Sequence, residues 1–466
     1  MRAVRVLGVS WVLVLAGGTV QAETASKALA KLAREYWEAE LRANPVHATS
    51  LGDRRYDHLL PDETPEARAR ERAHLTSLRE RAAALDPASL SGAELIDRSM
   101  LLEVLDGRLA VLDCGFPDWV VDPLDGPQIF FQNIPSLQPV GTPAQARAMV
   151  QRWRAMGPYL DAHIANLRTG LENGRAATSD QVRRVLEQLD ETLAADVETW
   201  ALLSPLQGEH ADWPGPDRDA FERDLRAAVR NVVRPAFTRY RDFLESDVLP
   251  VARPQDEVGL AHLPDGDACY RAMIRHHTSL DLPAAEIHRI GKREVSRIMG
   301  EMRALGSRVL GTDDLDEILS RLRGDPALYF ETRDGVENKA REALERAQEA
   351  VHAYFGILPQ AACVVVRMEP HEEKHSTIAY YRQPALDGSR PGRYYINTYA
   401  PETRPRYEAE ALAFHEAIPG HHLQIAVAQE LTGIPEFRKH TGTTAFVEGW
   451  ALYTEQLSDE MGLYSG

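Results

Sequence analysis

The sequence predicts a mainly α-helical protein with a small β-sheet near residues 362–398. Three observations predict it. Apolar residues recur at three- and four-residue spacing along most of the chain. Turn formers punctuate those stretches, as at Gly52-Asp53, Asp122-Pro123 and Pro214-Gly215-Pro216. The β-branched run Cys363-Val364-Val365-Val366-Arg367-Met368 then breaks the helical pattern.

The helices follow in order. Ala25 to about Asn44 carries Leu29, Leu32, Tyr36, Trp37 and Leu41 on one face and is closed by Pro45. Similar periodicity covers 65–86, 92–112, 143–170, 178–203, 217–246, 283–306 and 335–357. Strands are expected at 363–368, 376–382 and 393–398, the last two separated by the turn-rich loop 384–392. Prolines 250, 254 and 264 suggest a division near residue 250, giving an N-terminal helical region, 23–250, and a second region, 251–466.

The first 22 residues read as a cleaved export signal: Arg2 and Arg5, an apolar stretch from Val6 to Val20, then small residues ending at Ala22. No later stretch is apolar enough to span a bilayer. The mature chain is therefore expected to be soluble and periplasmic or secreted. The full chain's net charge of -17, with no basic run, disfavours nucleic acid and anionic membranes as partners. Cys114, Cys269 and Cys363 are widely spaced, which leaves room for one disulfide and argues against a thiolate metal site.

Chemistry concentrates at His415-Glu416-Ala417-Ile418-Pro419-Gly420-His421-His422. Two imidazoles on one face can hold zinc, and a carboxylate beside the first can take a proton from the attacking water. Here the second histidine comes late, and Pro419 occupies its usual place. A kink at Pro-Gly would bring His421 into position, with His422 as the competing ligand. Glu448, set in the apolar run Phe446 to Tyr453, is the expected third ligand, and Glu455 the fallback. The expected cofactor is thus Zn2+ on His415, His421 and Glu448, with Glu416 as general base. A literal H-E-x-x-H at His371–His375 is rejected, because it follows Pro370 and carries charges where a zinc helix needs apolar residues; it reads as a solvated turn.

The run His415 to Gln424, Glu448-Gly449-Trp450, Asp387 to Gly392, Tyr394 to Asn397 and Leu51 to Asp57 resemble the bacterial "domain of unknown function 885" family. In zinc-site logic that family is similar to the gluzincin peptidases. The resemblance implies a multi-helix peptidase fold with a deep cleft, hydrolysing peptide bonds in short peptides; no obligate protein partner is inferred. Tyr381, Tyr395 and Asn397 are then candidate substrate-binding residues, with Tyr380 a further oxyanion donor, and Tyr395 to Thr398 would pair with an extended peptide. Members of that family continue past the Trp450 segment, so the resemblance implies that this chain lacks a C-terminal part of the cleft wall. Two other readings follow: an inactive peptide-binding homologue, or a metal-dependent amidohydrolase on a non-peptide substrate.

Overall fold

The computed structural model describes residues 12–208 and 210–465, with side chains from Thr24 onward. Residues 1–11, half of the expected export signal, lie outside the described residues. From Val12 the chain is helical through Ala43, so the first helix starts well before Ala25. Among the described residues no helix is long and apolar enough to cross a membrane.

The protein is mainly α, as expected, and its helix ends follow local chemistry. Ser91 and Glu94 cap the helix Gly92–Cys114 reciprocally, and Gly115, at φ 58°, ends it. Thr142 and Gln145 do the same at the start of Pro143–Glu172. The helix expected over 178–203 stops at Ala194 and gives way to 3-10 turns from Val197. There the Asp196 side chain accepts the Glu198 N–H and starts a new turn. The stretch 217–246 is helical but contains the π turns Val229–Val233 and Leu244–Val248. The first precedes Pro235, which has no N–H to close an ordinary turn.

Most of the apolar core forms three clusters. One, around Phe131, Trp153, Phe237 and Tyr240, is built from residues 46–248. A second packs the first helix on Leu78, Leu101 and Leu105, and includes Phe437 from far along the chain. Phe437 is fully buried and meets Tyr36 edge-on at 5.9 Å, so it fastens the C-terminal stretch to the first helix. The third encloses the sheet and the helices Arg333–Ala350 and Ala409–Glu416. A disulfide joins Cys114 to Cys269 across 155 residues, bridging the division expected near residue 250. Closing so long a loop removes roughly 4–5 kcal/mol of unfolded-chain entropy. Cys363 is free and buried, and burial pushes its thiol up to about 12.

Three strands form the sheet: β1 (Cys363–Arg367), β2 (Ala379–Arg382) and β3 (Gly392–Ile396). Their order is β1-β3-β2, with β1 parallel and β2 antiparallel to β3. β3 is central, and Tyr395 pairs with Val366 on one side and Tyr380 on the other. The sequence expectation that Tyr395 and its successors take up a peptide as an added strand is therefore corrected at Tyr395 and Ile396, where β3 has no free edge.

Candidate metal centre

Two short helices and one longer one bring the expected ligands together. Ala409–Glu416 ends in His415 and Glu416, and His421–Glu430 begins with His421. Between them the chain makes a tight corner through Ala417, Ile418, Pro419 and Gly420, where proline cannot continue a helix. At Gly420 the backbone passes so close to the preceding turn that a Cβ would sit 1.8 Å from the His415 carbonyl oxygen. Only glycine fits there. The corner turns the His421 ring perpendicular to that of His415, with centroids 4.8 Å apart.

Glu448 comes from the helix Thr444–Glu460. Its Oε2 lies 3.5 Å from His415 Nε2 and 3.7 Å from His421 Nε2. Two donors on a tetrahedral zinc, each about 2.0–2.1 Å from the metal, stand about 3.4 Å apart. The donor set therefore fits a zinc ion with little movement. The three donors form one of two histidine–carboxylate groups among the described residues compact enough to hold a metal.

The neighbours define each group's role. His415 Nδ1–H donates to Glu455 Oε1 at 2.9 Å, which turns Nε2 toward Glu448 and raises the imidazole pKa. Glu455 stands two helical turns past Glu448 on the same face. It is bonded to His415 Nδ1 and does not join the converging donors, where the sequence keeps it as the fallback ligand. His422 is buried, accepts the Tyr381 hydroxyl at Nδ1 (2.9 Å) and donates from Nε2 to the Ala361 carbonyl (3.0 Å). Both its nitrogens are engaged, and burial holds its pKa down to about 4. His421 Nδ1 is buried without a partner, and burial lowers the pKa of that ring too. Glu416 is 8% exposed; burial, opposed by His415 and helped by Glu448, pushes its carboxyl up to about 7.

The other expected residues are placed differently. Tyr381 packs against His422 and lies 6.5 Å from the His421 ring. Tyr395 is buried and stacked on Tyr380 at 4.7 Å. Asn397 is 1% exposed; its amide donates to the Glu373 and Thr377 carbonyls and accepts the Tyr399 N–H. It braces the chain after β3. Glu410, five residues before His415, is buried. Burial pushes its carboxyl up, but Lys339 and Ser465 outweigh that and hold it down to about 2. It ties the His415 helix to Ser465.

The literal H-E-x-x-H is not a solvated turn. Pro370–Glu373 is a short helix in which Glu372 and Glu373 are buried. Glu373 pairs with Arg333, Glu372 accepts the Tyr380 hydroxyl, and His371 donates to Asn133 Oδ1 at 2.8 Å. His375 turns instead to Glu191. The two histidines serve separate partners. The second compact group, Glu187, Glu191 and His375, already holds the Lys374 ammonium between its carboxylates.

Glu455 yields a direct prediction. Glu455→Gln should weaken metal binding about 10- to 100-fold while leaving the fold intact, as loss of an orienting carboxylate does. Competition with a calibrated chelator measures this; unchanged affinity would remove Glu455 from the site.

The chain is helical with a histidine–carboxylate centre between three helices, and its sequence matches a described bacterial family over residues 45–466. It belongs to the family of bacterial proteins of unknown function DUF885. A candidate lipoprotein from Colwellia psychrerythraea has a similar fold, with a TM-score of 0.83 and 20% identity over 96% of this chain and 79% of that one. A candidate lipoprotein of unknown function from Shewanella oneidensis is also similar, with a TM-score of 0.62 and 17% identity over 93% of this chain and 78% of that one. No curated protein matches the chain.

Proposed function

We propose that this protein is an exported zinc-dependent hydrolase of peptide bonds in short peptides. One observation carries the reading: the Nε2 atoms of His415 and His421 converge on Glu448 Oε2 beside the buried carboxyl of Glu416. Two imidazoles, a carboxylate ligand and an adjacent glutamate are the groups that the gluzincin resemblance implies. Bound zinc would supply Lewis acidity toward a carbonyl and a water activated near neutral pH. Glu416, held in an apolar setting, takes the proton of the attacking water and returns it to the leaving amine. Glu455 keeps His415 in the ligating tautomer.

Export is supported by the signal-like opening, by the Cys114–Cys269 disulfide, which persists in oxidising compartments, and by the description of the similar structures as candidate lipoproteins.

The test is zinc content and peptide cleavage in the purified chain, alongside His415→Ala and His371→Ala. The expected result is about one zinc per chain, lost with His415→Ala and kept with His371→Ala, as a three-ligand site requires. A screen of short peptides should then show zinc-dependent cleavage. Zinc without cleavage of any peptide would favour the peptide-binding reading, and no zinc at all would remove the metal centre.

A further inference from the structure

Across the sheet from the histidines lies a group of arginines that the proposed hydrolysis does not use. The register sets Arg382 opposite Arg393 and Tyr380 opposite Tyr395. Side chains alternate along a strand, so these four share one sheet face while Tyr381 and Tyr394 occupy the other. The contacts agree. Arg393 Nη1 donates to the Tyr395 hydroxyl at 3.1 Å, and the Arg382 guanidinium lies 5.2 and 5.3 Å from the Tyr380 and Tyr395 ring centres. The opposite face carries Tyr381 to His422.

Among the described residues no carboxylate lies within 4.0 Å of Arg382, Arg393 or the adjacent Arg390. Scarcity is not the reason, because the chain has 70 acidic residues against 53 lysines and arginines. Like charges directly opposite on paired strands are destabilising. Arg390 adds a second oddity. It is 7% exposed, donates to the Ser50 carbonyl at 2.8 Å, and leaves Nη1 buried without a partner. Burial, with Arg393 and Arg382 nearby, pushes its pKa down. Three cations with no acid in direct contact, Asp125 and Glu369 acting on Arg382 and Arg393 only at longer range, and one of the three with a buried unpaired donor, form a site short of an anion.

We propose that Arg382 and Arg393, backed by Arg390, bind the oxyanion group of a small ligand, a carboxylate or a phosphate. Guanidinium forks match either group bidentately, and the stacked tyrosines hold Arg382 in place. A neighbouring cleft offers room for the rest of the ligand. Arg382 Nη1 reaches Ser136 Oγ at 3.5 Å, and Ser136 lines a cavity of about 860 Å3 with Gln132, Asn133, Thr192, Ser204 and His371. Amides, hydroxyls and an imidazole there, with the charged groups of Glu191, Glu369, Glu373 and Lys374, suit a polar, hydrogen-bonding body. The rejected H-E-x-x-H segment is thus a wall of this cleft. The site stands apart from the metal centre and does not depend on it.

The experiment is calorimetric titration of the full chain, in the presence of a metal chelator, with N-acetylglycine, its uncharged amide, and inorganic phosphate. Saturable binding of N-acetylglycine or of phosphate, but not of the amide, is expected, and whichever binds identifies the oxyanion. The double variant Arg382→Gln/Arg393→Gln should weaken it about 10- to 100-fold, the range for losing hydrogen bonds to a charged group. His415→Ala should leave it unchanged. Without ligand the double variant should stay folded and melt close to the parent, because lost like-charge repulsion offsets the lost contacts of Arg382 and Arg393 with Tyr380 and Tyr395. No binding of either oxyanion, equal binding in the double variant, or loss of binding in His415→Ala would each overturn the proposal.

Discussion

Glu416→Gln is expected to keep its zinc and lose nearly all turnover. Glutamine has the shape of glutamate but accepts no proton at neutral pH, so the variant isolates one role. Proton transfer by a positioned carboxylate contributes about 10²- to 10⁴-fold, or roughly 3–5 kcal/mol of barrier. Metal affinity should change little, because the convergence of His415, His421 and Glu448 does not involve the Glu416 side chain. The native residue is suited to the task. A carboxyl lifted to about 7 by burial is both a capable base and a capable acid near neutrality. Zinc content and single-turnover cleavage, measured on the same preparation, separate the outcomes. Parent-like turnover would exclude Glu416 as the base, whereas lost zinc would show that it supports the ligands.

Much of this site was legible in the sequence because its residue types are costly to explain otherwise. Histidines and glutamates on an apolar helix need partners, and Glu448 in an otherwise apolar run needs one too. The Pro-Gly kink favoured His421 over His422 in the sequence, but what engages His422 was not legible. It depends on where the Pro-Gly corner aims each ring, and on Tyr381 and the Ala361 carbonyl, which reach His422 from 41 and 61 residues away. Glu455 stood two turns from Glu448, but only the approach of His415 Nδ1 makes it an orienting group. The helices were read from periodicity and lie close to their expected spans. Their ends moved where a side chain such as Asp196 captured a backbone N–H. Asn397 misled for a general reason: an asparagine after a strand serves a ligand or its own chain equally well in sequence, and here it bonds its own chain. The partner of the Asp-Gly-Ser-Arg loop is likewise remote. Arg54 meets Asp387 and Ser389 from 333 and 335 residues away.

Gly420→Ala should dismantle the centre without touching a ligand. A methyl group there would stand 1.8 Å from the His415 carbonyl oxygen and 2.4 Å from that of Phe414. Both obstacles are backbone, so no side chain can swing aside. The ends of the two histidine helices would have to separate, at about 1–3 kcal/mol or more for overpacking of this kind. That separation carries His421 away from His415 and Glu448, so metal affinity should fall by roughly 100-fold or more, at or beyond the upper range for disturbing an orienting partner. Gly449→Ala is the control, one residue past Glu448 on the Thr444–Glu460 helix. A Cβ at Gly449 meets nothing within 4 Å, and alanine in a helix interior is favoured over glycine by about 0.5–1 kcal/mol. It should melt slightly higher and bind metal as the parent does. The contrast separates two roles of glycine that composition cannot distinguish: one tolerated in a helix, one required where two backbones meet. If Gly420→Ala bound zinc normally, the corner would not set the histidine geometry, and the late spacing of His421 would need a different cause.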